Sequence, residues 1–134
     1  MLKHISPTQI ESAWPFVKQG LEWIIKRCPG TVWTTETVYW RLVRDQCWLF
    51  ADDDGFFIVE RCVETHTDAW YLNVWCIYFL PGKGRERVPE VIAQLDALKK
   101  QLFCKFVQGS SPRLGWGRAM KDYFKLHLCI WRRD

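Results

Sequence analysis

The sequence predicts one α+β domain with a mixed sheet whose first half is antiparallel. Three observations predict it. Apolar residues recur at helical spacing through the first part of the chain. From Gln46 the pattern changes to short apolar, aromatic runs separated by turn residues. After the third such run, a glycine-rich basic loop opens a new helical segment, and strands and helices alternate from there on. The expected order is (β)-α-α-β-β-β-α-β-α-β, in a single domain spanning residues 1–134.

Residues 2–5 allow a short first strand. Ser6, Pro7 and Gln9 form a helix start: Ser6 caps, Pro7 suits the first helical position, and Gln9 completes a capping box. Ile10, Trp14, Val17, Leu21, Ile24 and Ile25 then mark one helix face. Pro15 is expected to kink or restart that helix, and Cys28-Pro29-Gly30 to stop it. Thr34 or Thr35 caps a second helix with Val38, Leu42 and Val43 facing inward. Residues 46–51 and 56–63 read as two strands joined by a tight turn at Asp52-Asp53-Asp54-Gly55. A turn at 64–68 leads to a third strand at 69–79, completing an antiparallel meander. Val88, Val91, Ile92, Leu95, Leu98 and Leu102 mark the next helix, with Pro89 in its first turn. Residues 102–107 read as a strand and 108–114 as a loop. Gly115 or Gly117 opens a short helix through Tyr123, and 124–131 is the last strand.

Composition bounds the function. At 134 residues and 49% apolar content the chain can bury a proper core. It has no apolar run long enough to span a membrane. Residues 1–6 lack the apolar centre of a signal peptide, so the expected location is the cytoplasm. The net charge of +4 suits an anionic cofactor and falls short of a dedicated DNA-binding domain. The six cysteines form no Cys-x-x-Cys pair and have no histidine at ligand spacing, so no metal is expected and the thiols read as reduced. Nine tryptophans imply an aromatic core, with some left to line a groove or a protein contact.

The stretch Leu80-Pro81-Gly82-Lys83-Gly84-Arg85-Glu86-Arg87-Val88 carries the most chemistry. Strand, glycine-rich basic loop and helix start together build a phosphate site. Glycine lets the backbone approach the ligand, and the first helical N–H groups and the helix dipole favour negative charge. The competing reading is a solvated basic turn.

In this element order, with Gly82-Lys83-Gly84 between the third meander strand and a helix, the chain resembles the GNAT acyltransferase superfamily. That family's pyrophosphate loop reads Arg/Gln-x-x-Gly-x-Gly/Ala. Pro81 stands here where Arg or Gln is usual, and Glu86 where the last small residue is usual. The resemblance implies an acyl-coenzyme A cosubstrate, acetyl-coenzyme A foremost, and an amine acceptor on a small molecule or a protein. It implies cofactor contacts from Gly82, Lys83, Gly84, Arg85 and Arg87, from the backbone of Val74, Trp75, Cys76 and Ile77, and from Ser110 or Ser111. It also implies that the third meander strand and the strand after the helix splay apart to admit the pantetheine. The family's general-acid tyrosine falls at Ala119, and Tyr123 lies about one helical turn later. The short length and loose motifs also resemble small GNAT-like proteins of bacteriophages. For that class the alternative is a catalytically inactive accessory or virion-associated protein with a homodimer or phage protein as partner.

Direct transfer needs a base for the amine proton and an N–H for the thioester oxygen. The base candidates are Glu60, Glu64 and His66. Glu60 is expected to be an exposed strand carboxylate. Glu64 and His66 sit in a turn where polar residues are ordinary. Asn73, inside an apolar strand, either binds a ligand or satisfies a neighbouring backbone group. His127 reads as a solvent-facing strand residue. Arg113 and Arg118 either contact cofactor phosphates or face water, and Trp116 packs on the core or covers a pocket. Asp52, Asp53 and Asp54 are read as a solvated turn. A third, weaker expectation is single-stranded nucleic-acid binding through Lys83, Arg85, Arg87 and exposed aromatics.

Overall fold

The computed structural model describes residues 1–28 and 30–109. The expected short helix to Tyr123, the strand at 124–131, and Ser110, Ser111, Arg113, Trp116, Arg118, Ala119, His127 and Cys129 lie outside the described residues.

The chain runs β1 (Lys3–Ile5), a 3-10 turn (Pro7–Gln9), α1 (Ile10–Arg27), α2 (Thr35–Val43), β2 (Trp48–Ala51), β3 (Gly55–Val63), β4 (Trp70–Phe79), a second 3-10 turn (Arg85–Arg87), α3 (Val88–Gln101) and β5 (Phe106–Gly109). The five strands lie in sequence order in one sheet. β1 to β4 pair antiparallel, and β4 and β5 pair parallel. A parallel pair needs a crossover, and α3 supplies it.

Ser6 and Gln9 form the expected capping box at the 3-10 turn that leads into α1, with the Gln9 side chain accepting from the Ser6 N–H at 3.3 Å. Pro15 neither ends nor restarts α1, which is one helix of 18 residues. Proline removes the bond to the carbonyl four residues earlier, that of Glu11. Both residues are exposed, so water can take the lost acceptor. Thr34 caps α2 by accepting from the Thr37 N–H at 3.3 Å.

Two cores flank the sheet. Val17, Leu21, Val38 and Leu42 of α1 and α2 pack on Leu49, Phe56, Ile58, Cys76 and Tyr78. Val91 and Leu95 of α3 pack on Phe50, Phe57, Val59, Leu72 and Val74 on the other face. Gly20 permits the close approach of α1: a Cβ there would lie 2.5 Å from a Phe56 ring carbon and 2.7 Å from one of Tyr78.

β4 alternates regularly in burial, with Leu72, Val74, Cys76 and Tyr78 all buried. Yet Leu72 and Val74 face the α3 core while Cys76 and Tyr78 face the α1–α2 core. The register explains the switch. Ile58 pairs with Cys76 and Val59 with Val74, so Trp75 has no counterpart on β3. This extra residue, a β-bulge, turns the strand over.

Several strand boundaries shift. Residues 102–105, expected in a strand, form the turn after α3, and the strand is β5 at Phe106–Gly109, so Gln108 and Gly109 belong to it instead of to a loop. The turn is a Schellman arrangement: Cys104 N–H donates to Lys99 at 2.9 Å and Phe103 N–H to Lys100 at 3.3 Å. Phe103 takes the left-handed conformation (φ 55°) that glycine normally fills. Gln46 and Cys47 precede β2, and Ala69 precedes β4.

Candidate functional site

The site grows from the bulge. β4 and β5 pair from Tyr71–Phe106 to Val74–Gly109. Beyond Val74 the bulge begins and β4 continues to Phe79, with no strand beside it on the β5 side among the described residues. Among the described residues, which end at Gly109, the backbone of residues 75–79 has no strand partner on that side.

The glycine-rich loop follows directly on that stretch of β4. Leu80 N–H donates to the Asp54 carbonyl at 2.8 Å, and Lys83 N–H to the Leu80 carbonyl at 2.9 Å. Gly82 closes this turn at φ 79°, a conformation side chains resist. A Cβ on Gly84 would lie 3.3 Å from Phe79 Cβ, so glycine holds the loop against the strand. Among the described residues, the Arg85 and Glu86 N–H groups meet no backbone acceptor, as expected where a helical segment opens. Lys83, Arg85 and Glu86 are exposed.

Arg87 is placed differently from its neighbours. Its guanidinium donates to Asp52, to Asp54 at 3.3 Å and to Glu90 at 2.7 Å, and it lies over the Phe79 ring. Its side chain is only 17% exposed. The turn at 52–55 is thus not simply solvated. It is fastened to the start of α3 because Arg87 reaches across to it, while Asp52 also accepts from the Asp54 and Gly55 N–H groups. Partial burial works to raise the Asp52 carboxyl. The Arg87 hydrogen bond and the two N–H donors outweigh it and hold that carboxyl below its usual value. The Arg87 hydrogen bond, aided by the terminal amine of Met1, likewise lowers Glu90.

On the α1–α2 side of the bulge lies Glu60. It is not the exposed carboxylate expected: its side chain is 16% exposed. Asn73, directly across on β4, donates to one oxygen at 2.9 Å, and Arg41 of α2 binds the other at 2.8 Å. Arg41 also lies 5.0 Å over the Trp75 ring, against which Trp33 packs edge-on. Asn73 therefore serves a neighbouring carboxylate instead of the backbone. Neither Arg41 nor Trp33 stood out in the sequence, because helix spacing marks only the buried positions of α2 and no motif links residues so far apart.

Glu64 is remote from this cluster. Its carboxylate folds into its own turn, accepting from the N–H groups of His66 and Thr67 and from the Thr67 hydroxyl. The Thr67 hydroxyl bond leads in holding its carboxyl below the usual value. Burial pushes the Cys47 thiol up to about 12 and raises Cys76 as well, so neither is a thiolate nucleophile near neutral pH. Among the described residues no group of acids, histidines and cysteines is placed to hold a metal, and no helix is long and apolar enough to cross a membrane.

No family model matches the chain, and no curated protein matches it. Solved structures do. A ribosomal-protein-alanine N-acetyltransferase from Brucella melitensis biovar Abortus 2308 superposes with a TM-score of 0.69 at 14% identity, over 100% of this chain and 99% of that one. A predicted acetyltransferase from Clostridium acetobutylicum, solved with acetyl-coenzyme A, gives 0.71 at 13% identity, over 99% and 94%. An aminoglycoside acetyltransferase from an uncultured soil metagenomic sample, in complex with sisomicin, gives 0.70 at 8%, over 100% and 95%. At such identities the likeness is one of fold, and the fold is the GNAT-like α+β architecture expected from the element order.

Proposed function

We propose that this chain is an acyl-coenzyme A-dependent N-acyltransferase, with acetyl-coenzyme A as donor and an amine on a small molecule or protein as acceptor. One observation carries the reading. The bulge at Trp75 lies on the same strand, β4, that runs straight into the Gly82–Gly84 turn and the start of α3. In this reading that stretch supplies backbone donors at one end and, at the other, the N–H groups of a glycine turn that opens a helix, to which a phosphate would bind. Acetyltransferases of the same fold, one solved with acetyl-coenzyme A and one with an aminoglycoside, support it.

In this reading the cosubstrate supplies an activated thioester. Backbone N–H groups of Val74, Trp75, Cys76 and Ile77 line its arm, and one of them holds the carbonyl oxygen. Lys83, Arg85 and the free N–H groups after Gly84 hold the pyrophosphate, and Ser110 is the candidate contact for the pantetheine. Arg87 acts as a positioning residue for the loop, since its donors are already engaged. Glu60, fixed by Asn73 and Arg41 beside the bulge, takes the acceptor's proton through a water molecule. Tyr123 is the candidate acid for the leaving thiolate. Glu64 builds its turn and takes no part. The domain extends over residues 1–134, and its place of action is the cytoplasm.

Thermal melting with and without millimolar acetyl-coenzyme A tests the site. A ligand at about 100 times its dissociation constant adds about 2.7 kcal/mol, several degrees for a domain of this size. The shift should vanish in Lys83→Glu/Gly84→Asp. A well-folded protein with no shift overturns the reading. The engagement of Arg87 by three acids and the charge of Glu86 favour a second one: a catalytically inactive GNAT-like module, such as a phage accessory protein, acting through protein contacts. Self-association or a co-purifying partner, without a ligand effect, would establish it.

A further inference from the structure

We propose that two copies of this chain associate about a two-fold axis, through the end of the sheet where the β3–β4 turn and the α3–β5 turn lie. Val63 and Trp70 are register partners there, and both are exposed. They share the face of Leu72, the α3 side of the sheet, because alternate strand residues point the same way. The Lys105 N–H, in the turn that leaves α3, donates to the Trp70 carbonyl at 2.8 Å and so brings that turn beside them. The same turn carries Phe103, which is 84% exposed. Phe106, stacked on Tyr71, continues the apolar surface around the end of the sheet. Four of the seven large apolar side chains exposed among the described residues thus gather at one end of the molecule. Exposed hydrophobes scattered singly are ordinary, whereas a gathered set marks a contact surface, and Trp and Phe are enriched at interface centres. Phe103 also holds a φ of 55°, where glycine is the cheaper residue. Neither core packing nor backbone preference accounts for an aromatic ring at that position, and burial against a partner does.

The charges select a second copy as the partner. β4 lies between β3 and β5 in the sheet, so the two turns flank Trp70. The β3–β4 turn carries Glu64 and Asp68, and the end of α3 with the turn after it carries Lys99, Lys100 and Lys105. Arg61 lies 4.0 Å over the Trp70 ring, and Asp96 stands about one turn before the lysines on α3. With His66 neutral, four cations stand against three carboxylates. A rim so close to neutral does not select a strongly acidic protein, a nucleic acid or an anionic surface. Its signs are separated instead, with acids on the hairpin side and lysines on the helix side. A two-fold axis running between the two sides lays the lysines of each copy on the acids of the other. Among the described residues, neither Asp68 nor any of the three lysines is already held in an ion pair. The contact uses no residue assigned to acyl transfer, so either reading can fail alone.

Sedimentation equilibrium of the full chain tests the contact. The parent should pass from monomer to dimer across roughly 1–500 μM, the range suited to a small, reversible interface. Phe103→Gly should weaken the dimer by about tenfold or more, as loss of a central aromatic does. Its melting temperature, measured on dilute monomer, should stay level or rise, which separates a lost contact from a lost fold. Lys105→Glu and Asp68→Lys should each weaken self-association, because the altered side then meets its own sign. An equimolar mixture of those two variants should associate like the parent, since both symmetry-related contacts of the mixed pair again join opposite signs. Asp68 sits at φ 55°. If Asp68→Lys fails to fold, Phe103→Gly and Lys105→Glu decide. A parent that stays monomeric throughout, a dimer untouched by Phe103→Gly or by Lys105→Glu, or a mixture no better than either folded variant overturns the proposal.

Discussion

Glu60 and Asn73 face one another across β3 and β4, and the Asn73 amide donates to the Glu60 carboxylate at 2.9 Å. Because Arg41 holds the other oxygen, the carboxylate is fixed beside the bulge instead of waving in solvent. If it accepts the acceptor's proton, Glu60→Gln should lower kcat by about 100-fold while leaving KM within a few-fold, since general-base catalysis contributes on that order. Thiol release from acetyl-coenzyme A with a panel of amines reads this directly. A loss confined to KM would make Glu60 a binding residue instead.

Gly20 presses α1 onto the sheet. Alanine is the better helix former by about 1 kcal/mol, so propensity alone favours Gly20→Ala. Packing opposes it: the new Cβ would sit 2.5 Å from the buried Phe56 ring and 2.7 Å from Tyr78. Overpacking a filled core costs about 1–3 kcal/mol. The net outcome should be a lower melting temperature, and a rise would show that α1 can shift freely.

Phe103 offers the reverse case. It occupies the left-handed position of the Schellman turn after α3 and is 84% exposed. Phe103→Gly relieves conformational strain of about 1–2 kcal/mol against an added chain-entropy cost of about 0.5–1 kcal/mol. Chemical denaturation should show a gain of up to about 1.5 kcal/mol, the difference of those terms.

The clamp around Arg87 predicts a pH dependence. Asp52 and Glu90 have folded-state values below their ordinary 3.8 and 4.5. A depressed carboxylate contributes stability that is present above its unfolded value and lost as pH falls through the folded one. Melting temperature should therefore fall as pH drops below about 4.5, through the ordinary range of these acids. Arg87→Met should flatten that decline, because its carboxylates then titrate nearer their unfolded values. An unchanged acid slope would mean that other groups set it.

The sequence by itself determined the element order as far as β5, the antiparallel meander, the crossover and the position of the glycine loop. These follow from periodicity and from residues whose backbone preferences act locally: Pro7 at a helix start and Gly82 at a positive φ. Tertiary structure decided what local preference does not encode. The even alternation of β4 conceals a bulge, because Leu72, Val74, Cys76 and Tyr78 are equally apolar whichever core they enter. Only the pairing with β3 shows that Trp75 is the extra residue. Phe103 hid the end of α3 because its left-handed turn is imposed by the crossover to β5. Arg87 read as one more cation in a basic loop, and its acids at Asp52 and Asp54 lie more than thirty residues earlier. Glu60 likewise gained its partners from α2 and β4. Ion pairs and strand faces depend on which distant segments meet, and the meeting is fixed by packing the two cores against one sheet.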